Sequence, residues 1–140
     1  MEEDLKELIK EQLVVDEQEI VRKLLPRIKQ FIGFTKEGKI IFMADMSRIP
    51  KIYHVLLYLL GKRLANLAEL VDSPDASIKE LSSALGFPEN YTRALLSELL
   101  AKGLIMRSNS GLYTIQLTKL EEIMRLLESK LEKTGDERRS

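Results

Sequence analysis

The sequence predicts a mainly α protein with two small β-hairpins, an α+β chain whose N- and C-terminal helices flank a central unit. Three observations predict this. Residues 77–117 run as two stretches of helical periodicity, each closed by a glycine, then two short apolar runs around a polar turn. Residues 49–71 are apolar on almost every side, which suits a central buried helix. The outer segments place leucine, isoleucine and valine at three- and four-residue steps among charged residues.

The first unit spans residues 1–48. Leu5, Leu8, Ile9 and Leu13 predict an amphipathic helix over about 3–14, with Val14 and Val15 packing at its end. Asp16 or Glu17 starts a second helix, with Ile20, Val21, Leu24 and Leu25 on one face. Pro26 is expected to kink or restart it, because its ring removes one hydrogen bond and crowds the preceding turn. Ile28 and Phe31 extend the stripe to about residue 31. Residues 32–44 read as a hairpin turned at Lys36–Lys39, with Gly38 free to take positive φ. An isolated hairpin is marginal in water, so it serves as a packing flap or as part of a ligand or dimer surface.

The second unit spans residues 49–117. Ser47 is the expected cap of a long helix over 49–71, carrying Ile52, Val55, Leu56, Leu59, Leu60, Leu64, Leu67 and Leu70. Ser77 and Glu80 form an S-x-x-E capping box, and Ile78, Leu81 and Leu85 follow at helical spacing. Gly86 stops that helix. Pro88 suits the start of the next, whose buried stripe is Thr92, Leu96 and Leu99, broadened by Leu95 and Leu100. Gly103 closes it, and Leu104–Met106 and Tyr113–Leu117 are strands around the polar turn Arg107–Leu112. Helix, turn, helix, hairpin is the order of a winged helix-turn-helix.

The third unit is a helix over 118–133. Leu117, Leu120, Met124, Leu127 and Leu131 step by three and four, the spacing of a heptad seam, and Thr118 with Glu121 reads as another capping box. The seam packs on the chain's own N-terminal helices or forms a dimer interface shared with the first helix. Residues 134–140 read as a disordered polar tail.

The stretch TRALLSELLAKGLI, Thr92 to Ile105, resembles the second helix and first wing strand of winged-helix regulators of the MarR and ArsR type. Ala101, Lys102, Gly103, Leu104 and Ile105 stand where those proteins have a lysine- and glycine-containing turn before the strand. The resemblance covers about residues 50–117, and the remainder is similar in arrangement to small archaeal regulators of the same superfamily. It implies a winged fold, double-stranded DNA as the partner, and a homodimer held by flanking helices.

In such a fold the second helix enters the major groove with its N-terminal half against base edges. The outward positions are then Asn90, Tyr91, Arg93, Ala94 and Ser97. Arg93 suits guanine or phosphate, Asn90 adenine, and Tyr91 and Ser97 phosphate oxygens. Alternatively Arg93 pairs with Glu89 or Glu98 on an ordinary solvated face. In the wing, Arg107 reaches backbone or minor groove, or simply belongs to a hairpin turn. Lys79 and Lys102 are candidate phosphate contacts, and Lys51, Lys62 and Arg63 add charge if exposed.

Charge weighs against DNA. The 22 basic and 22 acidic side chains cancel, and residues 51–117 hold 7 basic against 6 acidic. Phosphate neutralisation supplies most non-specific DNA affinity. A rival reading therefore stands: a winged helix used as a protein-interaction module in a multiprotein assembly.

Other chemistry lacks its residues. With no cysteine there is no disulfide, thiol or cysteine-based zinc chemistry, and the cytoplasm is the expected compartment. The single histidine, His54, lies on the apolar helix and reads as a half-buried helix residue. No nucleophile elbow, P-loop or dinucleotide fingerprint occurs, so no enzyme and no cofactor are expected. No apolar run approaches the roughly 18 residues that span a bilayer. The acidic N-terminus does not read as a secretory signal. Abundant Lys, Arg and Glu without Trp suit a thermophile.

Overall fold

The computed structural model describes residues 2–139, with side chains for 4–131. The chain is mostly helical with two separate antiparallel hairpins, an α+β arrangement. In order it runs α1 (Glu2–Leu13), α2 (Glu17–Ile28), β1 (Ile32–Phe34), β2 (Ile40–Phe42), α3 (Lys51–Leu67), α4 (Ile78–Leu85), α5 (Glu89–Ala101), β3 (Ile105–Arg107), β4 (Tyr113–Ile115) and α6 (Leu120–Arg139). The side chains of 132–140, which include the expected tail, lie outside the described residues.

Helix α3 is the axis of the core. Val55, Leu56, Leu59 and Leu60 are fully buried, because both hairpins, α4 and α5 pack around it. It is shorter than its apolar pattern implied. Pro50, not Ser47, precedes its first turn. Ser47 instead lies in a short 3-10 turn, Met46–Arg48, capped by Asp45, which accepts from the Ser47 amide at 3.1 Å and its hydroxyl at 2.6 Å. At the far end Glu69 takes φ 61°, and the Asn66 side-chain amide donates to the Val71 carbonyl at 3.0 Å, so the helix stops before Leu70. Leu67 and Leu70, expected inside, are 40% and 37% exposed.

Helix α2 passes through Pro26 and ends two residues later at Ile28. The proline sits in the last turn and there is no second segment to restart. Asp16 caps α2 through the Glu19 amide at 3.2 Å.

The hairpin β1–β2 pairs Ile32 with Phe42, Gly33 with Ile41 and Phe34 with Ile40. It closes onto α3 at a glycine: a Cβ on Gly61 would stand 2.9 Å from Cδ1 and Cγ1 of Ile40. Its turn residue Gly38 adopts φ 85° and lies against Leu70 and Val71. The hairpin is thus a packed flap, and it also walls a cavity with Tyr58 and Lys62.

The heptad seam is consumed inside the chain. Leu117, Leu120, Met124 and Leu127 are buried, with α6 packed on α2. Arg27 fastens the two helices. Its guanidinium donates to Glu128 through Nε at 2.9 Å and to both oxygens of Glu121 through Nη1 at 3.1 Å. That use of Glu121 displaces the expected capping box with Thr118, and a 3-10 turn, Leu117–Lys119, leads into α6 instead. The apolar side of α1, by contrast, is uncovered: Leu5, Leu8, Ile9 and Leu13 are 59%, 49%, 45% and 72% exposed.

Candidate nucleic-acid interface

The segment 77–107 is fixed joint by joint. The Ser77 hydroxyl accepts from the Glu80 amide at 3.0 Å, which caps α4. The reciprocal half of the expected capping box is absent, because the Glu80 carboxylate accepts from Tyr58 Oη at 2.8 Å and Lys62 Nζ at 2.9 Å. That pair ties α4 to α3. Gly86 takes φ 72°, the left-handed stop that glycine tolerates without a Cβ penalty. The Ser82 hydroxyl donates to the Phe87 carbonyl and locks the turn. The buried Thr92 hydroxyl donates to the Pro88 carbonyl at 3.0 Å. With Leu95, Leu96 and Leu99 also buried, α5 is fixed in rotation about its own axis.

One stripe of α5 therefore faces solvent. Asn90, Tyr91, Arg93, Ala94 and Ser97 are all exposed. Glu89 and Glu98 are exposed on the same helix, yet among the described residues Arg93 makes no ion pair with either. Lys79, in the first turn of α4, and Lys102, at the C-cap of α5, are exposed as well.

The hairpin after α5 pairs Ile105 with Ile115, Met106 with Thr114 and Arg107 with Tyr113. The strands are shifted from the sequence expectation: β3 begins at Ile105, and β4 ends at Ile115. Ala76 adds a third strand position, exchanging two 2.9 Å backbone bonds with Tyr113. The turn holds itself, since the Ser108 hydroxyl accepts from the Leu112 amide at 3.1 Å and meets Ser110 at 2.9 Å. Arg107 is exposed, but its guanidinium rests 5.9 Å from the Tyr113 ring centroid.

Tyr91 belongs to a cluster that the sequence does not reveal. It meets Phe87 edge-on at 5.6 Å, and Lys51 Nζ lies 5.6 Å from the Phe87 ring and 5.8 Å from the Tyr91 ring. Lys51 comes from the first turn of α3, so it brings a positive charge to the start of α5 across about 40 residues of chain. Only the packing of α3 against α5 makes it a neighbour. Lys62 drops out, being held by Glu80 and largely buried. Arg63 is half-buried. His54 is half-buried, as its pattern implied, and its Nε2 lies 2.9 Å from both the Met46 and Ile49 carbonyls, so that nitrogen carries the proton.

Tyr58 is the strongest electrostatic outlier of the region. Burial, reinforced by its bond to the Glu80 carboxylate, pushes its hydroxyl well above the ordinary tyrosine pKa. Its environment is structural, since the hydroxyl is spent on Glu80.

Among the described residues no group of three or more metal-ligating side chains occurs, and no helix is long and apolar enough to cross a membrane. Compared with family models, curated proteins and solved structures, the chain matches none.

Proposed function

We propose that residues 51–117 are a winged helix-turn-helix and that the protein is a DNA-binding transcriptional regulator. Helix α5 enters the major groove, and the β3–β4 hairpin serves as the wing. One observation carries the reading: α5 buries one face completely and presents Asn90, Tyr91, Arg93 and Ser97 on the other, with Arg93 unpaired among the described residues. The strand position at Ala76, before α4, supports it, because it joins the segment entering the two-helix unit to the hairpin leaving it. Lys51 beside Tyr91, Lys79 on α4 and Lys102 at the C-cap of α5 serve as phosphate contacts, and Arg107 is the wing's cation.

Arg93 is the base-reading or phosphate-gripping residue of this account. Arg93→Ala weakens specific duplex binding by about 1–3 kcal/mol if it reads a base. Competition titrations of both proteins on a selected duplex measure this. Equal affinities remove Arg93 from the interface.

A second reading is a winged helix that docks a protein partner. The observation favouring it is which residues α5 and the hairpin expose. Glu89 and Glu98 flank Arg93, while Tyr91 is 39% and Met106 45% exposed. Carboxylates repel phosphate, whereas exposed aromatic and methionine side chains suit the core of a protein interface.

A further inference from the structure

The β1–β2 hairpin, with α3 and α4, encloses a cavity of about 240 Å³ that the surface proposed for DNA does not use. Two tight contacts hold the hairpin beside it. Ile40 lies against Gly61 of α3, where a Cβ would stand 2.9 Å away. Gly38, at φ 85°, lies against Val71, where a Cβ would stand 2.7 Å away. The cavity is therefore bounded by packed elements, with Tyr58 and Lys62 of α3 and Ala84 of α4 completing its wall.

The lining divides by chemistry. Ile40 and Phe42 of β2, with Val71, make one side apolar. The charged side chains on it are both cations, Lys39 and Lys62, and no carboxylate lines it. Lys62 is 18% exposed and donates to Glu80 at 2.9 Å. An ammonium has three N–H groups, so two remain for another acceptor. Lys39 is exposed at the hairpin turn and makes no ion pair among the described residues. Tyr58 adds no negative charge, because burial and its bond to Glu80 keep its hydroxyl protonated far above neutral pH. Glu80 offsets one cation, and the lining keeps an excess of one positive charge.

We propose that this cavity binds a small monocarboxylate with an apolar body, its carboxylate held by Lys39 and Lys62 and its body against Ile40, Phe42 and Val71. Each alternative meets a cost. An organic cation is repelled by both lysines. A phosphate monoester or dicarboxylate brings a second negative charge for which no cation is left. A wholly polar ligand leaves the apolar side without a partner, whereas an apolar body gains by displacing water from it. The size is set by the volume. At roughly 30 Å³ for each water-sized group there is room for about eight such groups, fewer than in the ~300–1,000 Å³ clefts that take drug-sized ligands. A chain of about six carbons ending in a carboxylate fits that limit. The proposal does not depend on DNA binding.

The test is a titration of the isotope-labelled full chain with hexanoate, followed by amide NMR. Saturable shifts gathered at Gly38, Lys39, Val71 and Ala84 are expected. Acetate lacks the apolar body and hexylammonium reverses the charge, so both are expected to leave those amides in place at the same concentrations. Lys39→Gln, at an exposed turn position, is expected to weaken hexanoate about tenfold by removing a charged donor. Ala84→Leu puts a good helix former at an exposed position bordering the cavity. It is expected to obstruct hexanoate while resonances remote from the cavity stay as in wild type. Hexanoate that leaves the four amides unmoved, or that binds either variant as tightly as wild type, overturns the proposal. Shifts from acetate or hexylammonium that match those from hexanoate overturn it too. A cavity that takes no hexanoate leaves the reading of α5 standing.

Discussion

Two titratable residues carry the clearest energetics at the scale of single side chains. Arg27 holds Glu121 and Glu128, and its bonds to Glu121 are the first cause of that carboxyl's lowered pKa. A carboxyl depressed by folding stabilises the protein above its unfolded pKa and loses that contribution as pH falls through the folded one. Arg27→Met should therefore lower stability only modestly at neutral pH, because the pair is partly exposed and screened by solvent. Thermal melts should show the gap to wild type shrinking towards about pH 3, where carboxylates are protonated. A gap that does not change with pH would mean that Arg27 acts by packing alone. Tyr58 has the opposite sign. Its raised pKa keeps the folded hydroxyl neutral while the unfolded one ionises above about pH 10, so stability falls as pH climbs past that point. Tyr58→Phe should cost about 1 kcal/mol at neutral pH and flatten the alkaline decline, as read by denaturant titrations at each pH.

Elements are where sequence and structure can be compared most sharply. The joints of α4 and α5 were legible, because Ser77, Gly86, Pro88 and Gly103 act on backbone within a few residues of themselves. What escaped was any group claimed by a distant partner. Glu80 and Glu121 match capping-box spacing, yet Lys62 and Arg27 take their carboxylates from helices remote in sequence. Ser47 looked like a cap, but Asp45 lies two residues earlier and Pro50 sets the start of α3. Lys51 could not be placed beside Tyr91 without the α3–α5 packing. Nor could Ala76 be paired with Tyr113, since one bridge has no periodicity to read. The same lesson yields a prediction for the first hairpin. Gly61→Ala improves helix propensity by up to about 1 kcal/mol but drives a methyl into Ile40, so the net effect should be a loss of roughly 1–3 kcal/mol. Adding Ile40→Ala to Gly61→Ala should relieve the clash, giving a double-variant loss smaller than the sum of the two single losses. Strictly additive losses would show that the hairpin does not lean on α3 at that point.

As a whole molecule, the chain spends most of its apolar residues on one core around α3, while among the described residues the outer stripe of α5 and the apolar side of α1 stay open to solvent. The first is the surface we propose for DNA. Its balanced charge, 22 against 22, gives no general attraction to a polyanion. Binding must come from the local cations Lys51, Lys79, Arg93, Lys102 and Arg107, and counterion release then sets its salt dependence. The measurement that tests this most directly is fluorescence anisotropy of random duplex DNA titrated with the protein at several salt concentrations. A few phosphate contacts per chain predict binding at low salt that weakens steeply, with a log–log slope of about −0.9 for each phosphate neutralised. Absence of binding at low salt, or an affinity indifferent to salt, would contradict the account and give the α5 surface to a protein partner.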